Sequence, residues 1–358
     1  MKFALFLLCL GFLSCVSSDD AMPGYREGFP SVKTPAPEGA GPTQNPYSLG
    51  RIGSGTDAEV ETRSGLVIMG GGTDVDAAFK WMIDRSEGGD VVVIRASGTD
   101  AYNPYIYDLG TVNSVETLLI DSRAAANDER VVQTLKNAEA LFIAGGDQSQ
   151  YMEFWRGTQT EEALNYLLNE KKVPVGGTSA GAAILGGLYY SGENGSITSE
   201  AALSDPYNNR ITLYAHDFLQ APFMADVVAD QHFSQRERLG RLVAFLARYL
   251  NQNNEEARGI GVDERTAVCI DDQGVAQVFG ANAAYFIETK KAKQPEVLAP
   301  GQNLEWNQNE RALSVYRITG SEAGSGTFNV QSFQFSEADG GVPLWWWVEN
   351  GKLKSKNQ

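Results

Sequence analysis

The chain has 358 residues, 42% of them hydrophobic and 21% charged, so it can bury a full core and is not disordered in bulk. Its formal net charge of −16 argues against a nucleic-acid partner, whose phosphates must be neutralised by Lys and Arg, and disfavours an anionic membrane surface. Acidity of this size mildly favours cationic or arginine-bearing substrates.

The first residues, "MKFALFLLCLGFLSCVSS", place one lysine before an apolar run from Phe3 to Leu13, then small residues. This predicts a secretory signal peptide over residues 1–18, too short to be a permanent anchor, and no integral membrane segment after its cleavage. The protein is expected to be secreted, periplasmic or, through Cys15, lipid-anchored at a bacterial cell surface. Cys9 lies in the same signal, which leaves Cys269 as the only cysteine of the body and rules out an internal disulfide framework. Residues 19–60, rich in Pro, Gly, Ser and Thr, read as a flexible tether.

Residues 61–349 read as a single catalytic domain. "GLVIMGGG" (65–72) is a buried strand ending in glycines, and 74–86 is a helix with Asp74 as its cap. Further strands are expected over 90–98, 115–121, 140–146 and 171–177. Strands of this type, separated by helical patterns, predict an α/β fold: a mostly parallel sheet with helices on both faces. From about residue 258 the chain becomes β-rich, with Asp-Asp-Gln-Gly at 271–274 as a hairpin turn. The three tryptophans Trp345–Trp347 read as an edge strand with alternating burial, an aromatic binding platform being the alternative.

The stretch "KKVPVGGTSAGAAILGG" (171–187) contains G-x-S-x-G between a strand and a helix-like run, so Ser179 is either a nucleophile on a sharp turn or a hydroxyl in a glycine-rich bend. A serine nucleophile needs a base, and the chain has two histidines, His216 and His232. His232 follows the strand-like Val227 and Val228 and precedes a helix, which puts it at a C-terminal strand edge like Ser179; His216 is the alternative. The carboxylates between serine and histidine are Glu193, Glu200, Asp205, Asp217, Asp226 and Asp230, and spacing does not rank them. "AGGDQSQ" (144–150) offers backbone N–H groups that, with the Ala180 amide, suit an oxyanion hole. Gly70-Gly71-Gly72 lacks the third glycine of a dinucleotide fingerprint, since Val75 stands there, so no nucleotide cofactor is expected. Two histidines, one body cysteine and no HExxH leave little case for zinc, and no metal is expected. Arg238 and Arg241 share a helix face and suit a carboxylate clamp, or simply a solvated surface.

Taken together, "AGGDQ", "GGTSAGAA" and "DQHFSQRERLGRL" closely resemble the cyanophycinase-like serine peptidases, a family that also contains alpha-aspartyl dipeptidase. The resemblance runs from about Gly65 to Glu288, and "GIGVDERTA" (259–267) resembles the family's closing strand. It implies a fold like the class I glutamine amidotransferases, with a β-rich C-terminal extension added here. It implies Ser179 as nucleophile, His232 as base and Glu200 as the third member, with Glu193 in reserve. Gly146 and Ala180 then form the oxyanion hole. Gln148, Asp230, Gln231, Arg236, Arg238 and Arg241 match positions lining the substrate pocket, while Glu237 stands where the family pattern has a glycine. A homodimer is implied by the resemblance only.

The expected function is an exported serine exopeptidase acting on aspartyl peptides, with cyanophycin (multi-arginyl-poly-aspartate) or related beta-aspartyl peptides as substrate and no cofactor. Alternatives are an alpha-aspartyl dipeptidase, an esterase of the α/β-hydrolase type, and a non-catalytic surface binding protein of the same fold. In α/β-hydrolases the histidine usually lies much later than the 53 residues separating Ser179 from His232.

Overall fold

The computed structural model describes residues 45–358; the predicted signal peptide with Cys15, and the tether as far as residue 44, lie outside the described residues. The strands in chain order begin with β1 Ser48–Gly53, β2 Gly65–Met69, β3 Asp90–Arg95, β4 Ser114–Leu119, β5 Ala140–Ile143 and β6 Pro174–Thr178. They continue with β7 Leu188–Tyr190, β8 Leu213–Ala215, β9 Val227–Asp230, β10 Arg258–Val262, β11 Thr266–Ile270 and β12 Val275–Gly280. The last are β13 Ala283–Glu288, β14 Leu313–Thr319, β15 Ser325–Asn329, β16 Gly341–Glu349 and β17 Lys352–Asn357. The helices are α1 Asp76–Arg85, α2 Tyr102–Leu109, α3 Arg123–Ala126, α4 Glu129–Asn137, α5 Gln148–Trp155, α6 Gln159–Tyr166, α7 Ala180–Ala183, α8 Ser199–Ser204 and α9 Leu239–Asn253.

A nine-stranded sheet runs β1-β4-β3-β5-β6-β2-β11-β12-β15. Its centre, β4-β3-β5-β6-β2, is parallel and consists of the five strands expected from sequence. Alternate residues feed two cores, as the two-residue period of a strand requires. Val67, Met69, Val91 and Val93 meet Phe79 and Met82 of α1 and Ile106 of α2. Leu66, Ile68, Val92 and Ile94 meet Val131 and Leu135 of α4, Trp155 of α5 and Leu164 of α6. Helices therefore cover both faces.

The α/β reading holds, but its single mostly parallel sheet is replaced by two mixed sheets. The second has eight strands in the order β17-β16-β14-β13-β10-β9-β7-β8. β9 lies in it, parallel to β10 with Asp230 opposite Gly261. The cause is local. After β6 the helix α7 is a single turn, and the connection to β7 is shorter than the dozen or so residues a parallel crossover needs. The chain thus leaves the first sheet at Ser179 and starts another.

Three further expectations are corrected. Residues 48–53, read as tether, form the edge strand β1, antiparallel to β4, where Arg51 donates to Glu116 at 2.9 Å; a glycine-bearing edge strand held by backbone pairing has too little apolar alternation to be seen in sequence. Asp74 does not cap α1, whose first turn follows Val75 without a side-chain cap. Trp345–Trp347 neither alternate cleanly nor form a platform. Trp346 (2% exposed) packs between Phe233 and Tyr285, Trp347 is also buried beneath Lys356, and half-buried Trp345 carries Lys293 Nζ 4.6 Å from its ring. The Asp271–Gly274 turn between β11 and β12 is as read: the Asp271 carboxylate accepts from the amides of Gln273 and Val275 at 2.9 Å.

Because Trp346 fills the space behind Phe233, Trp346→Ala should lower the unfolding free energy by about 3–5 kcal/mol in urea melts. Trp345→Ala should cost about 1 kcal/mol or less. Equal losses at the two positions would contradict this account of the core.

Candidate active site

Ser179 follows β6 directly and holds φ 51°, ψ −120°, a conformation outside the usual regions for a residue with a side chain. Its neighbours show why small residues are needed. A Cβ on Gly177 would lie 2.5 Å from the Gly181 backbone, and one on Gly181 would lie 2.1 Å from the carbonyl oxygen of Ile143. The turn is therefore wedged against β5, and of the two readings of "GGTSAGAA" the sharp strand-to-helix turn is the one observed.

Beyond β9 the chain makes a second strained turn: His232 holds φ 48°, with its amide donating to the Gly70 carbonyl at 2.7 Å. The imidazole Nε2 stands 2.8 Å from Ser179 Oγ, and Nδ1 stands 2.6 Å from Glu264 Oε1. The carboxylate on Nδ1 assigns the proton to that nitrogen, so Nε2 accepts from the hydroxyl. Glu264 lies in the turn from β10 to β11, its amide donating to Gln235 Oε1 at 2.8 Å. His216 is exposed, on the far edge beyond β8.

Glu264, and not Glu200, meets the imidazole. Glu200 is exposed in the first turn of α8, and the reserve Glu193 is exposed and accepts from Tyr214 at 2.7 Å. The interval between serine and histidine was the wrong place to look. β10 lies parallel to β9, so a carboxylate just past the end of β10 arrives beside a histidine just past the end of β9. The residues "GIGVDERTA" held that signal.

The glycine turn at 70–72 is what lets the imidazole lie where it does. A Cβ on Gly71 would fall 2.4 Å from His232 Cε1, and one on Gly72 would fall 3.1 Å from Glu264 Cβ. Burial pulls the His232 pKa down to about 4, the Glu264 hydrogen bond pulls upward against it, and Arg236 and Arg238 push further down. The imidazole is therefore neutral at pH 7 and able to take a proton from Ser179.

The "AGGDQ" loop approaches Ser179 from β5: a Cβ on Gly145 would lie 3.4 Å from Ser179 Cβ. The amides of Gly146 and Ala180 donate to no acceptor among the described residues, as an oxyanion site requires. Gln148 begins α5 and lies against the glycine turn at 192. Asp230 and Arg241 face each other, both 2% exposed, with Arg241 Nε 2.9 Å from Asp230 Oδ2. Gln231 is buried and donates to the Ala229 carbonyl at 3.0 Å. Two residues expected in the pocket thus pair with each other in the interior. Arg238 is different: half-buried, it donates to the Gln231 carbonyl at 3.1 Å, and burial with the nearby Arg241 lowers its pKa to about 10. It has no carboxylate partner among the described residues. Arg236 is exposed, its Nε 3.9 Å from Glu264. Glu237, at the position of the family's glycine, holds φ 50°.

The model of peptidase family S51 matches residues 66–278, more than half of the chain and the span that contains every member of this site. The chain belongs to peptidase family S51. Among its relatives, a cyanophycinase of Synechococcus elongatus is 29% identical over 53% of this chain and 53% of its own length. One from Nostoc sp. is 26% identical over 51% of this chain and 56% of its own length. The chain spans about half the length of the curated relatives it matches. A crystal structure of a peptidase from an acI-B1 Actinobacterium covers 63% of this chain and 91% of that one, at 15% identity and a TM-score of 0.45.

Two predictions follow from the hydroxyl–imidazole–carboxylate line. Labelling of Ser179 by a fluorophosphonate should slow by about 10²–10⁴ in Glu264→Ala and stay within a few-fold of wild type in Glu200→Ala. The reverse ranking would restore Glu200. The wild-type labelling rate should also fall as pH drops toward 4, because protonated His232 accepts nothing from serine; a flat profile between pH 7 and 4 contradicts a histidine base.

Proposed function

We propose that this protein is a serine exopeptidase that cleaves aspartyl peptides. The observation that carries the reading is the line Ser179 Oγ to His232 Nε2 at 2.8 Å and His232 Nδ1 to Glu264 at 2.6 Å. Ser179 Oγ attacks the scissile carbonyl carbon as its proton passes to His232 Nε2. The resulting oxyanion is held by the amides of Gly146 and Ala180, and Glu264 stabilises the imidazolium. Collapse breaks the C–N bond, and the leaving nitrogen takes the proton from Nε2. Water then attacks the acyl ester with His232 again as base, and Ser179 Oγ recovers the proton on release.

Arg238 supports an acidic side chain in the substrate. A half-buried guanidinium whose only described hydrogen-bond partner is a backbone carbonyl is suited to receive a carboxylate in bidentate fashion. Arg236 adds positive charge at the mouth. The wider protein is strongly acidic, which favours substrates that also carry cations, as the arginine-bearing polymer cyanophycin does. The same reading takes the protein as exported, its body arranged like the class I glutamine amidotransferases and paired as a homodimer.

Ser179→Ala should fold as wild type and lose about 10⁴–10⁶ in hydrolysis of its best aspartyl peptide. Incubation with cyanophycin and with matched alpha- and beta-aspartyl peptides, followed by product masses, tests the substrate. Wild-type rates in Ser179→Ala, or no cleavage of any aspartyl substrate, would overturn the proposal.

A further inference from the structure

Past their paired ends, β9 and β10 stay joined by contacts that the proton relay itself does not use. The parallel ladder stops with Asp230 opposite Gly261, because the chain turns sharply at His232. Three further rungs follow, each one residue on along both segments. The Phe233 amide donates to the Val262 carbonyl at 3.2 Å, and the Ser234 amide donates to Asp263 Oδ1 at 2.8 Å. The Glu264 amide donates to Gln235 Oε1 at 2.8 Å. The last two rungs run in opposite senses. A side chain of the acid turn holds the histidine turn, and a side chain of the histidine turn holds the acid turn. Asp263 is 4% exposed, and its Oδ2 accepts from the Ala283 amide at 3.2 Å, which anchors it to β13. The Glu264 carbonyl is held as well, by Asn282 Nδ2 at 2.8 Å and Thr266 Oγ1 at 3.2 Å.

We propose that Gln235 and Asp263 are positioning residues that cross-tie the histidine and acid turns and keep the Glu264 carboxylate on His232 Nδ1. This rests on the relay through Ser179, His232 and Glu264, and neither residue touches its reacting atoms. The need for a tie is visible around Glu264. Its side chain is partly exposed, and Arg236 Nε stands 3.9 Å from the same Oε1 that meets the imidazole. On a loose turn that carboxylate would divide its time between imidazole and guanidinium. Gln235 fixes the Glu264 backbone from the histidine turn itself, so base and acid move as one body. Asp263 acts where the main chain fails. With φ 48° at His232 the backbone ladder cannot continue, and a carboxylate reaches the Ser234 amide instead. The residue types fit these tasks. Both Asp263 oxygens accept, so an amide there would turn a donor toward one of two N–H groups. At exposed position 235 only the carboxamide oxygen is engaged, and water can satisfy the NH₂.

The test is a mutant cycle read by fluorophosphonate labelling, with the maximal rate separated from the reagent concentration that gives half of it. Gln235→Ala should lower the maximal rate about 3- to 10-fold, the size of one hydrogen bond, and move the half-rate concentration by less than about twofold. In a Glu264→Ala background the same substitution should change the rate by less than about 1.5-fold, because the group it positions is gone. Gln235→Glu, which keeps an acceptor at the same reach, should recover most of the loss, whereas the shorter Gln235→Asn should not. Asp263→Asn should lower the maximal rate about 10- to 100-fold, the size of one buried amide left facing a donor. Circular dichroism checks its fold; should it not fold, the cycle at exposed Gln235 decides alone. Equal losses from Gln235→Ala with and without Glu264 overturn the tie while the relay stands. So does a loss confined to the half-rate concentration, or a folded Asp263→Asn that labels as wild type. Wild-type labelling in Glu264→Ala removes the relay and the tie together.

Discussion

The hydroxyl–imidazole–carboxylate line crosses a seam between two sheets, and the rest of the architecture serves that crossing. Ser179 leaves the first sheet, His232 leaves the second, and Glu264 stands in the turn where the chain passes from β10 of the second sheet to β11 of the first. Hydrogen-bond geometry of this kind tolerates errors of well under about 1 Å. The relay therefore depends on how the sheets pack, and neither sheet carries it alone.

That packing also holds strained backbone in place. Ser179 and His232 both adopt positive φ, each at a cost on the order of 1–3 kcal/mol. The serine turn is wedged by Gly177 and Gly181 against β5, and the histidine turn is tied by its amide to Gly70. Behind the histidine, Phe233 presses on Gly261 and is backed by Tyr285 and Trp346. The C-terminal strands thus take part in the site without contributing a residue to it. They supply the apolar mass that keeps a strained turn from relaxing.

Charge is organised in layers below and around the relay. Asp230 and Arg241 neutralise each other in the interior, where leaving either unpaired would cost about 3–5 kcal/mol. Arg238, one helical turn earlier, stands outside this pair and has no carboxylate partner among the described residues. Arg236 and Arg238 press the imidazole toward its neutral form, and Glu264 restores part of its basicity.

What the sequence determined by itself was everything set by local sterics and short period. The five apolar runs became the parallel core because β-branched residues buried on both faces have few other solutions. Ser179 was legible because only small residues permit its turn, and His232 because few bases exist to choose from. Tertiary structure alone decided the third member. Glu264 lies 32 residues beyond the histidine and reaches it through parallel pairing of β9 with β10, a contact with no trace in local spacing. It decided likewise that β1 belongs to the sheet, that Trp346 is core, and that Asp230 and Arg241 face each other. These are contacts between distant segments, and their energy comes from burial that no short window of sequence contains.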